Sequence, residues 1–186
     1  MNVYIQRHTL VSISRGICYG RLSVPLAPSF TEEVKALRQA LPGHLDAVWS
    51  SPLERCVKLA KQFSAYPQLS NALLELDFGT WEGKAWDDIQ GEELRAWMDD
   101  FVHVKAGGGE SFQELYERVG RFVEHLRVQD MDNVLIITHA GVIRSIWGNI
   151  LQIPLKQLFK ISIGYGETLH LQLGKSTEMD MLIRKQ

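Results

Sequence analysis

With 186 residues, 45% of them hydrophobic and 23% charged, the chain is sized and composed for one globular domain with a full-sized core, spanning 1–186. A formal net charge of -2 argues against a nucleic-acid or anionic-membrane surface, and no apolar run is long enough to span a bilayer. The two cysteines, Cys18 and Cys56, lack metal-ligand spacing; one disulfide stays open to them, but free thiols in a reducing, cytoplasmic setting are the expectation.

The first residues read as a short strand, not a signal peptide: Val3-Tyr4-Ile5 leads directly into Arg7-His8-Thr9. Residues 10–29, punctuated by Gly16, Gly20, Pro25 and Pro28, read as a long ordered loop. Thr31 is placed to cap a helix with Val34, Leu37 and Leu41 on its apolar face. A short strand follows at Asp46-Ala47-Val48-Trp49. Ser50 and Ser51 are then expected to cap a second helix, with Pro52 at its first position. Residues 72–83 lose periodicity around Asp77, Gly79 and Gly83, and helical segments follow near 85–100. After the Gly107-Gly108-Gly109 turn, Ser111 and Glu114 have the spacing of a capping box for a helix over 111–128.

Val134 to Thr138 is a nearly all-apolar strand expected at the centre of a sheet, and it delivers His139 to a helix over 141–151. Strands near 159–163, 167–173 and 177–184 lack intervening helices, which predicts antiparallel strands at a sheet edge. The order of elements predicts an α/β fold: a mixed, mostly parallel sheet between two helical layers.

Two strands thus each end in a histidine, His8 and His139, where open parallel sheets place their chemistry. Arg7 and Arg55 have the planar forks that suit a phosphate. A neutral imidazole at His8 carries a lone pair for attack on phosphorus, and flanking guanidiniums disfavour its protonation. His139 is placed to donate to a phosphate oxygen. Glu75, just before Asp77-Phe78-Gly79, is the best proton donor for a leaving group. Singly, each residue has an ordinary structural use. A metal site on His8 and His139 lacks a third ligand at useful spacing. The conjunction favours a phosphate.

Together these segments resemble the histidine phosphatase superfamily, the phosphoglycerate mutase-like family. Arg7-His8-Thr9 resembles its Arg-His-Gly signature, with threonine in place of glycine. Ser51-Pro52-Leu53-Glu54-Arg55-Cys56 is similar to the segment supplying the second arginine, and Leu74 to Gly83 to the proton-donor loop, which puts the acid at Glu75 rather than Glu82. Gly108-Gly109-Glu110-Ser111 and Thr138-His139-Ala140-Gly141 match two further blocks, all in family order. A narrower likeness, Gly16-Ile17-Cys18-Tyr19-Gly20-Arg21 with Val24-Pro25-Leu26, is to the alpha-ribazole phosphatase branch, with Ser23 where that branch commonly has aspartate.

The resemblance implies a three-layer α/β/α fold and a phosphomonoesterase that needs no metal or organic cofactor. His8 would be phosphorylated, Glu75 would protonate the leaving alcohol, and Arg7, Arg55 and His139 would hold the phosphoryl oxygens. It further implies phosphate or substrate contacts at Thr9, Ser14, Cys18, Tyr19, Gly20, Arg21 and Ala140. The implied partner is a small phosphorylated metabolite, best matched by alpha-ribazole 5'-phosphate. Other readings are a broad sugar-phosphate or nucleotide phosphatase, a mutase-like enzyme, and a catalytically silent binder. The chain lacks the long insertion that covers the active site of phosphoglycerate mutases, which implies a more open pocket and favours hydrolysis over transfer. Tyr19, Arg21, Trp81, Trp86 and Trp97 are candidates to line an aromatic pocket. A homo-oligomer is left open.

Overall fold

Alternate residues of the central strand, Asn133–Thr138 (β4), serve opposite faces of the sheet, because successive side chains of a strand point to opposite sides. Val134 and Ile136 pack in one core with Val3, Ile5, Leu169 and Leu171, whereas Leu135 and Ile137 pack in another with Val48, Leu59 and Cys56. A strand buried on both sides requires helices above and below it, so the molecule has three layers. The computed structural model describes the backbone of residues 1–185 and the side chains through Ile183.

The six-stranded sheet orders Gln68–Leu69 (β3), Ala47–Ser50 (β2), β4, Asn2–Arg7 (β1), Thr168–Gln172 (β5) and Met181–Lys185 (β6). The first four run parallel; β5 is antiparallel to β1, and β6 to β5. Helices Phe30–Ala40 (α1) and Glu54–Ala60 (α2) cover one face. A short helix, Glu92–Asp99 (α3), lies in the long excursion between strands. Helices Phe112–Arg127 (α4) and Ala140–Leu151 (α5) cover the other face, followed by the single turn Leu155–Leu158 (α6). The capping box of α4 forms, with Ser111 accepting from Glu114 N–H and Glu114 accepting from Ser111 N–H.

Four local expectations need correction. Residues 159–163 are not a strand: Phe159 and Lys160 continue the turn after α6, where Lys160 N–H donates to Gln157 O and Ile161 N–H to Leu158 O. Ser29, not Thr31, stands at the amino end of α1, its hydroxyl bonded to Glu33. Helix α2 begins at Glu54 behind Leu53, so Pro52 lies before it and Ser51 supports a turn by accepting from Leu53 N–H. Trp81 is buried and belongs to the core, not a pocket wall, whereas Trp86 and Trp97 pack against it edge-on and remain partly buried. Cys18 and Cys56 are both free and buried.

Candidate active site

Register brings three strand ends together. Arg7 pairs with Thr138 and Ser50 with Ile137, so the residues leaving β1, β4 and β2 emerge side by side at one edge of the sheet. The chain then holds this register past the strands: His8 N–H donates to Thr138 O, and Ser51 N–H to Ile137 O. His8 and His139 consequently meet, with ring centroids 5.1 Å apart.

The partners of each ring fix its tautomer. His8 Nδ1 lies 2.8 Å from Thr9 O, and a carbonyl only accepts, so Nδ1 carries the proton and Nε2 keeps its lone pair. Burial, followed by the charge of Arg55 and then Arg7, holds the His8 pKa down at about 3, against an opposing pull from the Thr9 carbonyl. The ring is therefore neutral at physiological pH. His139 Nδ1 lies 3.3 Å from Arg55 Nη2 and accepts from it, because a guanidinium only donates. His139 Nε2 then donates to Ser51 Oγ at 2.8 Å. Burial and four neighbouring groups, His8, Arg55, Arg7 and Arg118, also push this imidazole well below its ordinary range.

Both arginines are fixed by backbone carbonyls. Arg55 donates to Gly20 O at 2.6 Å and Leu22 O at 2.9 Å, and Arg7 to Ile163 O at 2.5 Å. Among the described residues neither Arg7 Nε nor Arg55 Nε has a hydrogen-bond partner, and the Thr9 hydroxyl is in the same position. Buried donors without acceptors are costly, and a tetrahedral dianion with several lone pairs is what satisfies them best.

Glu75 sits at the amino end of α5, for which His139 is the N-cap residue. Its carboxylate accepts from Gly141 N–H and from Leu76 N–H at 2.9 Å. The Glu75 carbonyl is clamped by Arg21 Nε at 3.1 Å and Arg118 Nη2 at 3.2 Å, and both guanidiniums are anchored on Glu110. Thr138 Oγ1 donates to Leu73 O, tying the same loop to the end of β4.

The structure thus gathers Arg7, His8, Thr9, Arg55 and His139 into one group, with the Gly20 carbonyl against Arg55 and Ala140 beginning α5. The Tyr19 ring lies 5.4 Å from the Arg55 guanidinium. Arg21 reaches Asp77, Glu110 and the Glu75 carbonyl. Ser14 is exposed on the loop surface, and Cys18 is buried in the Trp81, Ile89 and Ala106 cluster. Sequence reasoning missed Ser51, Arg118 and Tyr165. Arg118 had a signal, one turn after Glu114 and beside the core positions Leu115 and Val119. His8 is only 1% exposed, and the Tyr165 ring lies against it with centroids 5.6 Å apart. Among the described residues no three His, Cys, Asp or Glu side chains converge as a metal site.

Residues 3–179 match the model of the histidine phosphatase superfamily, branch 1. The chain belongs to that superfamily. It is 28% identical over 177 residues to the adenosylcobalamin/alpha-ribazole phosphatase of Escherichia coli K12, covering 89% of this chain and 87% of the relative. It is also 28% identical over 149 residues to phosphoserine phosphatase 1 of Hydrogenobacter thermophilus, covering 75% and 71%. The crystal structure of the alpha-ribazole phosphatase from Shigella flexneri superimposes with a TM-score of 0.89 at 25% identity, over 98% of this chain and 95% of that one. As a histidine phosphatase the chain is a phosphoric monoester hydrolase with a phosphoglycerate mutase-like fold. No helix among the described residues is long and apolar enough to cross a membrane.

Proposed function

We propose that this histidine phosphatase works through a phosphohistidine on His8 and that its substrate is alpha-ribazole 5'-phosphate. The observation that carries the mechanism is the His8 tautomer: Nδ1 is committed to Thr9 O, so the neutral ring offers Nε2 between two fixed guanidiniums. Attack forms the Nε2–P bond as the P–O bond to the alcohol breaks, and Glu75 gives its proton to the departing oxygen. Water then attacks phosphorus, Glu75 takes back a proton, and the Nε2–P bond breaks to release orthophosphate and neutral His8.

Arg7 and Arg55 hold the equatorial oxygens and supply the positive charge that phosphoryl transfer needs, so no metal ion takes part. His139 has a second task. Burial, and then the neighbouring positive charge, keep this imidazole neutral; a bound dianion opposes the second of these, and once Arg55 Nη2 turns to the phosphate the freed Nδ1 can take a proton and donate to the phosphoryl group. Glu75 takes its orientation from the Gly141 N–H.

The substrate assignment is supported by the Gly16 to Arg21 likeness and by the alpha-ribazole phosphatase structures, which superimpose with TM-scores of 0.89 and 0.86 against 0.83 for a phosphoserine phosphatase. Phosphoserine is the second reading, favoured by two relatives from Hydrogenobacter thermophilus, phosphoserine phosphatase 1 and a putative phosphoserine phosphatase 2 that is 29% identical over 94% of this chain and 92% of that one. A steady-state panel of alpha-ribazole 5'-phosphate, phosphoserine, phosphoglycerates, sugar phosphates and nucleotides separates them. The highest kcat/KM is expected for alpha-ribazole 5'-phosphate, and a preference of about tenfold or more for another ester, roughly 1.4 kcal/mol, overturns the assignment.

A further inference from the structure

Two tyrosines from distant parts of the chain meet directly over the phosphate-binding group. The Tyr165 ring lies on the Arg7 guanidinium, 3.8 Å from Cζ to the ring centroid, and the Tyr19 ring faces Arg55 at 5.4 Å. Their hydroxyls are 2.5 Å apart, one donating to the other, so the pair forms a strap from one arginine to the other. Beneath it His8 is 1%, Thr9 0%, Arg55 2% and His139 0% exposed. The joined rings therefore lie across the approach to two guanidiniums whose in-plane N–H groups a phosphate needs.

The backbone beside Tyr165 is tied down. Gly166 N–H donates to His8 O, Arg7 N–H to Glu167 O, and Gly164 N–H to a Glu167 carboxylate oxygen. The loop is thereby anchored to the end of β1, and rotation of the phenol side chains is the way in. Tyr165 itself is 37% exposed, so its ring has solvent to swing into.

We propose that Tyr19 and Tyr165 form a gate over the phosphoryl site, closed by their mutual hydroxyl bond, which a phosphate ester opens by displacing the Tyr165 ring from Arg7. This inference rests on the phosphatase reading above, because it takes the guanidiniums to be the phosphate's partners. It gives Tyr165 a part in selecting what enters. A neutral molecule has nothing to set against the cation–π contact over Arg7, whereas a dianion does.

A gate has a quantitative signature. When only the open form binds, apparent affinity scales with the open fraction, and so does the reactivity of the group behind it. Tyr165→Phe and Tyr19→Phe keep both rings and break the same bond. The test is carbethoxylation of His8 by diethyl pyrocarbonate, followed on the His8 peptide by mass spectrometry, with and without orthophosphate. Each variant should raise the His8 rate about fivefold, the shift expected for losing one net hydrogen bond, and the double variant should add little more. The orthophosphate concentration giving half protection should fall by the same factor. Unchanged His8 reactivity in both variants overturns the gate, as does phosphate affinity that weakens, which would make the hydroxyls phosphate ligands. Failure of orthophosphate to protect wild-type His8 at any concentration instead overturns the phosphatase reading, independently of the gate.

Discussion

The backbone N–H of Gly141 donates to both carboxylate oxygens of Glu75, at 3.1 and 3.2 Å. This one group joins the helix that follows His139 to the residue proposed to move the proton. Position 141 must be glycine for the contact to form: an added Cβ would fall onto Glu75 Oε1 and stand 3.1 Å from Leu115 Cδ2.

Gly141→Ala should therefore displace the Glu75 carboxylate and lower kcat for alkyl phosphates by about 100-fold, the usual contribution of a positioned acid. Glu75→Gln should do the same. Neither should slow p-nitrophenyl phosphate nearly as much, since its leaving group scarcely needs a proton. Steady-state kinetics on the two ester types checks this, and equal slowing on both removes Glu75 from the acid's role.

The buried histidines make stability depend on pH. His8 is held at about 3 in the fold but returns to about 6.5 when unfolded, and His139 is lowered in the same direction. Below 6.5 the unfolded chain binds more protons, so their contribution is complete above that pH and is lost as pH falls toward 3. Unfolding free energy should drop by roughly 1–1.5 kcal/mol per pH unit per histidine between about pH 6 and 4. Urea titrations of wild type and His8→Asn should show a shallower fall in the variant. Identical slopes would mean that His8 is not buried neutral.

Far from the site, Arg127 and Asp180 make a two-pronged ion pair at 2.7 and 2.9 Å, with side chains 5% and 0% exposed. Asp180 also accepts from Gly174 N–H, closing the turn between β5 and β6. Asp180→Ala removes the buried carboxylate and leaves Arg127 with the exposed Glu124 at 3.2 Å and the Gly174 carbonyl, which should cost about 2 kcal/mol of stability. Chemical denaturation measures it, and a loss under about 1 kcal/mol would show the pair to be effectively solvent-screened. Turnover by the folded fraction should not change.

Positive charge at phosphorus comes from Arg7 and Arg55 in this account, so turnover should persist in excess EDTA at the rate seen without it. Loss of activity that zinc or magnesium restores would contradict the account.

Much of this was legible because periodicity and position carry it. β4 reads as a doubly buried strand, and the two strand-end histidines follow from Val3-Tyr4-Ile5 and Val134 to Thr138. The Ser111–Glu114 cap has a fixed three-residue signature. What stayed hidden depends on contacts between distant segments. Tyr165 lies 146 residues from Tyr19, and nothing in Gly164-Tyr165-Gly166 says that its ring will settle on Arg7. Ser51 reads as a helix cap by composition, but tertiary packing gives its hydroxyl to His139 and Leu53 instead. The two-residue β3 is too short for alternation to mark it.

The central claim is that His8 carries the phosphoryl group, and rapid-quench labelling with a phosphorus-labelled substrate tests it most directly. A label that is acid-labile, alkali-stable and located on the His8 peptide, absent in His8→Ala, is the predicted result. An acid-stable label, a label on another residue, or turnover at the wild-type rate in His8→Ala would contradict it.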